Sequence, residues 1–187
     1  MAVFKPGQSY DDCYVSSAGI IEKVGDVSQF GLYVFDEYAG GFKFANVTIP
    51  QGTIITSAKV TFQAWSDQAT TVCNIRIKGE DIDDAAVFST YDDFIARTRT
   101  TAYVDWSAIS EWTINTDYDS PSITTIIQEI LDRVGWISGN DLVLFFENNG
   151  STGNGNRLPK TYDLTTDYCA RLTVTHSGEI RTLFRPY

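Results

Sequence analysis

Five consecutive residues, Glu80-Asp81-Ile82-Asp83-Asp84, place four carboxylates in one short stretch. Hard oxygen ligands this close together suit calcium, which accepts about six to eight oxygens in flexible geometry. Asp163, Asp167 and Glu147 are candidates to join them through folding. The spacing is not that of an EF-hand, and a solvated acidic loop is the competing reading. Four tryptophans, Trp65, Trp106, Trp112 and Trp136, offer faces on which sugar rings stack. Trp65 falls on the polar side of its strand pattern, which makes it the candidate for exposure and for sugar stacking. The other tryptophans read as packed.

Catalytic sets are harder to assemble. The chain holds one histidine, His176. It ends an alternating run, Arg171-Leu172-Thr173-Val174-Thr175, where a solvated strand-end position accounts for it. A hydrolase triad would have to use this one imidazole, and a His-rich zinc site is excluded. Glycoside hydrolysis needs two carboxylates across a cleft, and among 24 acidic residues such a pair carries no signal. No catalytic residues are assigned, and the expectation is a non-enzymatic protein. The run Arg97-Thr98-Arg99-Thr100-Thr101 reads as a solvated loop, with a clamp for an acidic partner as the alternative. Cys13, Cys73 and Cys169 are far apart and odd in number, so a complete disulfide framework is not expected. Each lies in a strand-like run, residues 10–15, 71–77 and 168–174, and they read as three reduced core thiols, with one bridge plus a free thiol as the alternative.

The elements that must carry these residues are mainly strands. The chain has 187 residues, 43% hydrophobic, 20% charged and 13% aromatic, with a net charge of −10. Such a length supports one domain with a sizeable core. No stretch approaches the ~20 apolar residues of a membrane span, and the acidic balance opposes nucleic acid. Residues 10–15 read as a first strand. Residues 31–35 and 41–44 read as short strands around a turn containing Gly40-Gly41. Residues 54–65 alternate with period two, Ala58, Val60, Phe62 and Ala64 facing inward. Residues 72–77 follow with Cys73, Ile75 and Ile77 inward, and the two runs are expected to form a long antiparallel pair. The continuous apolar run Leu142-Val143-Leu144-Phe145-Phe146 implies burial on both faces. The Asn- and Gly-rich residues 148–156 read as a surface loop and a candidate contact loop.

One segment follows helical spacing. Ile123, Ile126, Ile127, Ile130, Leu131 and Val134 share one face of a short amphipathic helix at about residues 120–134. Ser120 is placed to cap it, Pro121 to open it and Gly135 to end it. The fold class expected is all-β, a jelly-roll β-sandwich of two antiparallel sheets with this helix over an open end or edge. Residues 1–8 form an N-terminal arm, residues 9–176 the sandwich, and residues 177–187 a C-terminal tail.

The strand opening at Tyr10-Asp11-Asp12, then Gly41-Phe42-Lys43-Phe44, then Val47-Thr48-Ile49-Pro50-Gln51-Gly52 leading into Ile54 and Ala58, is similar to jelly-roll modules of the DNRLRE and carbohydrate-binding-like type. Trp112, Gly135-Trp136 and the closing Ala170-Arg171-Leu172-Thr173-Val174 fit the same layout. The resemblance covers roughly residues 9–176. It implies modules found on secreted and surface proteins, with similar stretches in phage-encoded particle proteins, some holding calcium.

The N-terminus lacks the apolar core of a secretory signal. The expectation is therefore a protein that stays where it is made, the host cytoplasm, or leaves as part of an assembly. The terminal segments carry large apolar residues with no stated partner: Val3 and Phe4 at one end, Ile180, Leu183, Phe184 and Tyr187 at the other. Water gives such groups nothing, so they either pack back on the sandwich or grip another subunit, and these six residues are expected to bind a partner. The leading functional expectation is a virion structural protein, a phage capsid decoration (cement) or other particle-surface protein. Its partners would be the major capsid protein or other virion subunits, and it would form a homo-oligomer, a trimer by preference. The alternative is a carbohydrate-binding module that attaches to glycans. Neither nucleic acid nor membrane is expected as a partner, and calcium is the one cofactor considered.

Overall fold

The computed structural model describes residues 1–68 and 71–180. The strands in chain order are β1 (Ala2–Phe4), β2 (Asp12–Ser16), β3 (Ile21–Glu22), β4 (Phe30–Tyr33), β5 (Asp36–Phe44), β6 (Thr53–Gln63), β7 (Cys73–Glu80), β8 (Arg99–Ile109), β9 (Asp117–Asp119), β10 (Leu142–Asn148), β11 (Asn156–Arg157) and β12 (Arg171–Ile180). Among the described residues two α-helices interrupt them, α1 (Tyr91–Ala96) and α2 (Thr124–Leu131). One sheet has the order β1-β12-β6-β9. The other runs β11-β4-β5-β10-β7-β8, with β2 and β3 added beside β5. Every pairing is antiparallel. The protein is an all-β sandwich with a jelly-roll-like body.

The alternation in β6 has the expected outcome. Ala58, Val60, Phe62 and Ala64 are all buried, and so are Cys73, Ile75 and Ile77 of β7. The two strands do not pair, however. β6 lies between β12 and β9, whereas β7 lies between β10 and β8. They thus belong to different sheets, and the two apolar rows meet in the main core. Period two fixes which side of a strand is buried, not which neighbour it takes.

Phe30, Phe42, Phe62 and Phe146 form the centre of that core. The Phe62 ring centroid is 4.9 Å from that of Phe146 and 5.0 Å from that of Phe42. Trp112 is buried beside them and stacks on Tyr118 at 5.0 Å.

A second, smaller core lies on the other side of the larger sheet. Leu142, Leu144 and Phe146 of β10 enter the main core, while Val143 and Phe145 join Cys13, Val15, Ala85, Phe88 and Phe94. The apolar run is thus buried on both faces, as its composition implies. The outer cover is α1 with residues 81–90, an element that the sequence reading lacks. At six residues, α1 is too short to show a helical period.

Three local expectations are corrected. Gly40 and Gly41 lie inside β5, and the turn between β4 and β5 is formed by Val34 and Phe35. A Cβ on Gly41 would stand 2.6 Å from Phe88 Cζ and 2.8 Å from Phe94 Cε2, so its glycine serves packing. The amphipathic helix expected at about residues 120–134 is also shorter, spanning Thr124–Leu131. Ser120 does not cap it; its hydroxyl accepts from the Val60 N–H at 3.0 Å and donates to the Pro121 carbonyl. Gly135 does not end it either, lying four residues beyond its last residue. Finally, Cys169 precedes β12 rather than lying in a strand.

Helix α2 packs against strands of both sheets, β6 of the smaller and β7 and β8 of the larger. Gln128 bridges to β6, its Oε1 accepting from the Ile55 N–H and its Nε2 donating to the Thr53 carbonyl. Glu129 accepts from the N–H groups of Thr101 and Ala102 on β8.

Candidate functional site

The four carboxylates of the acidic stretch are drawn apart. Glu80 is buried against Arg97, its Oε2 3.0 Å from the guanidinium. Asp81 and Asp83 both pair with Arg133. Asp84 accepts from the Asp141 N–H at 2.9 Å. Glu147 pairs with Arg99 instead of approaching them. Among the described residues no three His, Cys, Asp or Glu side chains are grouped to hold a metal. The expected calcium set of Glu80, Asp81, Asp83 and Asp84 does not assemble, because Arg97 engages Glu80, Arg133 engages Asp81 and Asp83, and the Asp141 N–H engages Asp84.

The basic run is not a solvated loop. Arg97 is buried, pairs with Glu80 and Asp93, and donates to the carbonyls of Ala86 and Val87. Arg99 lies 3.6 Å over the centroid of Phe145. Together they fasten the outer layer to the larger sheet. Burial pushes the Glu80 carboxyl upward, although Arg97 pulls the other way. Burial opposes ionisation of Asp93 too, but hydrogen bonds from Arg97 and Ser89 hold it below the usual carboxylate range.

His176 lies in β12 at a register shift, half-buried rather than at a solvated end. Its Nδ1 is enclosed with no partner among the described residues. Cys13, Cys73 and Cys169 are buried and unbridged.

The N-terminal segment is not a loose arm. Val3 pairs with Thr173 and Phe4 with Leu172, so β1 is the outermost strand of the smaller sheet. Phe4 belongs to the core, while Val3 is exposed. Phe4 therefore cannot serve a partner without leaving its own fold. At the other end β12 continues past residue 176, and Ile180 pairs through its backbone with Thr53. The side chain of Ile180, together with Leu183, Phe184 and Tyr187, lies outside the described residues.

Trp65 is 39% exposed, and Trp112 and Trp136 are buried. Its N–H donates to the Leu158 carbonyl at 2.9 Å. Leu158 lines a cleft of about 450 Å³. Around it stand Gln29, Tyr33, Asp67, Gln68, Asn154 and Asn156. Asn154 accepts from the Val34 N–H at 2.9 Å, and Asp67 from the Ile114 N–H at 2.8 Å. Gln68 donates to the Ser66 hydroxyl and the Asp67 carbonyl. The Gln29 Nε2 is enclosed and has no partner among the described residues. Carboxamides supply donors and acceptors side by side, as a polyhydroxylated ligand requires. Among the described residues the lining has one carboxylate, so these supply no general acid–base pair.

The Asn-rich segment singled out in the sequence supplies Asn154 and Asn156. Gln29, Tyr33 and Gln68 carried no sequence signal, since only folding brings positions 29 to 158 together. Comparison with known proteins gives no matching family model and no matching curated protein.

Proposed function

We propose that this chain is a non-enzymatic structural component of a virus particle, a phage capsid decoration (cement) protein or another particle-surface protein. The observation that carries the reading is the free edge of the smaller sheet. β1 pairs on one side with β12 and on the other with no described strand, and Met1 and Val3 are exposed along it. An unpaired edge with apolar side chains is a template for a neighbour's chain. Apolar area buried there contributes roughly 25 cal/mol per Å² before association costs. Behind the edge, buried ion pairs and two cores supply a rigid body. The partner under this reading is the major capsid protein or another virion subunit. Mass spectrometry of purified particles encoded with this gene tests it. A fixed copy number per particle is expected. A strict monomer that is absent from particles overturns the reading.

A second reading, attachment to glycans, is favoured by the carboxamide cleft and by the unpartnered Gln29 donor. A glycan array tests it, with Gln29→Ala, Tyr33→Ala and Trp65→Ala as controls. Binding by the parent protein that the variants lose is expected; an empty array removes the reading.

A further inference from the structure

The hairpin joining β4 to β5 ends in a turn whose sequence works against its own shape. Tyr33 pairs with Asp36, leaving Val34 and Phe35 as a two-residue loop. Both have positive φ, 47° and 70°. Loops of this kind favour Asn-Gly, because the left-handed region crowds a Cβ. A β-branched valine is among the least suited residues there. Phe35 is 97% exposed, and Val34 and Tyr33 are also exposed. The apolar tip thus gives its own fold neither burial nor a relaxed backbone.

The tip is nevertheless held firmly. The Val34 N–H donates to Asn154 Oδ1 at 2.9 Å, and the Leu32 N–H to the Gly155 carbonyl at 3.0 Å. Gly31 lies so close to the Gly155 backbone that a Cβ would stand 2.3 Å from its oxygen. A braced, protruding aromatic side chain is pre-organised for insertion, which lowers the entropy lost on docking.

Two carboxylates stand directly behind it. Asp36 accepts from the Ser17 hydroxyl, and Glu37 has an exposed side chain with no partner among the described residues. The net charge of −10 sets a second copy against the first. The complementary surface is an apolar socket with lysine or arginine at its rim.

We propose that Phe35 and Val34 are the anchor of this protein, seated in an apolar, basic-rimmed socket on a different subunit of the particle. This rests on the particle-surface reading above. It moves the principal contact from the chain ends to the β4–β5 hairpin.

The test uses the full chain and particles assembled without it. The parent protein, Phe35→Asp and the double variant Val34→Asn/Phe35→Gly are each titrated onto those particles. Circular dichroism and thermal melting accompany each titration. Parent binding that weakens at high salt is expected, as is at least about a tenfold loss in each variant. The double variant should melt above the parent because its turn is relaxed. If the parent binds and the double variant binds equally well, the anchor is overturned while the particle reading stands. If the parent does not bind, the particle reading fails first. Self-association of the parent that Phe35→Asp abolishes assigns the socket to a second copy and overturns the choice of partner.

Discussion

The guanidinium of Arg97 lies 3.0 Å from the Glu80 carboxylate, with 5% and 7% of the two side chains exposed. This pair joins the end of β7 to the segment leading into β8, directly beside the outer core of Phe88, Phe94 and Phe145. Arg97 also lies over the Phe88 ring at 4.6 Å. Removing one partner leaves a buried charge alone. Arg97→Met is expected to lower stability by about 3 to 5 kcal/mol. The double variant Arg97→Met/Glu80→Leu should recover much of that loss, since neither charge then remains to be solvated. Urea denaturation of the parent, the two single variants and the double variant measures the coupling. Additive losses would show that the pair does not act as a unit.

That pair marks where sequence reasoning stops. The inward faces of β6 and β7 follow from Ala58, Val60 and Phe62, and from Cys73, Ile75 and Ile77, because period two directly reports burial on one side. The double burial of β10 follows from an apolar run without alternation. Partnership across the chain leaves no comparable trace. Arg97 and Glu80 are both ordinary charged residues in a polar stretch, and their pairing depends on how β7 and β8 align. The Gly40-Gly41 dipeptide pointed to a turn for a general reason, whereas the rings of Phe88 and Phe94 above it supply the local reason. The real turn, Val34-Phe35, carries neither Gly nor Asn and so had no turn signature. The cleft joins residues from position 29 to position 158, which only the folded sheets bring together.

Three glycines separate packing from backbone strain. Gly41→Ala drives a Cβ into two rings that can shift, and a loss of about 1 to 3 kcal/mol is expected. Gly31→Ala meets backbone at 2.3 Å and holds φ at 108°, so neither the neighbour nor the residue can yield. Its loss should exceed that of Gly41→Ala. Gly25 has nothing within 4 Å of a Cβ and no positive φ. Gly25→Ala should therefore fall within about 0.5 kcal/mol of the parent. Thermal melts of the three variants check the order, and equal losses at Gly31 and Gly25 would contradict it.

The three thiols provide a probe of global opening. Burial pushes Cys73 and Cys169 up to about 11 and raises Cys13 as well. Thiolate, the reactive form, is thus scarce at neutral pH even before access is considered. Ellman's reagent should find no fast-reacting thiol in native buffer and three in urea without reductant. A single thiol in urea would reveal a bridge. The native reaction rates should rise together in Arg97→Met if the three sites open through the same unfolding event.

Asp12 gives the protein an unusual dependence on pH. It is 1% exposed. Its Oδ2 accepts from the Tyr162 N–H at 2.8 Å, and its Oδ1 has no partner among the described residues. The adjacent Lys43 pairs with Asp11 and Asp141. Burial raises the Asp12 pKa from 3.8 to about 7, the Tyr162 N–H opposes the rise, and Asp163 and Asp11 add to it. Between those two values the folded protein holds a proton that the unfolded chain releases. The Asp12 contribution to stability is therefore intact below about pH 4 and is lost as pH rises through 7, the reverse of an ion-paired aspartate. The full loss is roughly 4 kcal/mol as an upper figure. Asp12→Asn keeps a carbonyl oxygen for Tyr162 and removes the titration. Urea midpoints measured from pH 4 to pH 8 should fall more steeply for the parent than for Asp12→Asn, with the variant the more stable above pH 7. Parallel curves would mean that Asp12 is ionised throughout and that its second oxygen has found a partner, such as an ordered water.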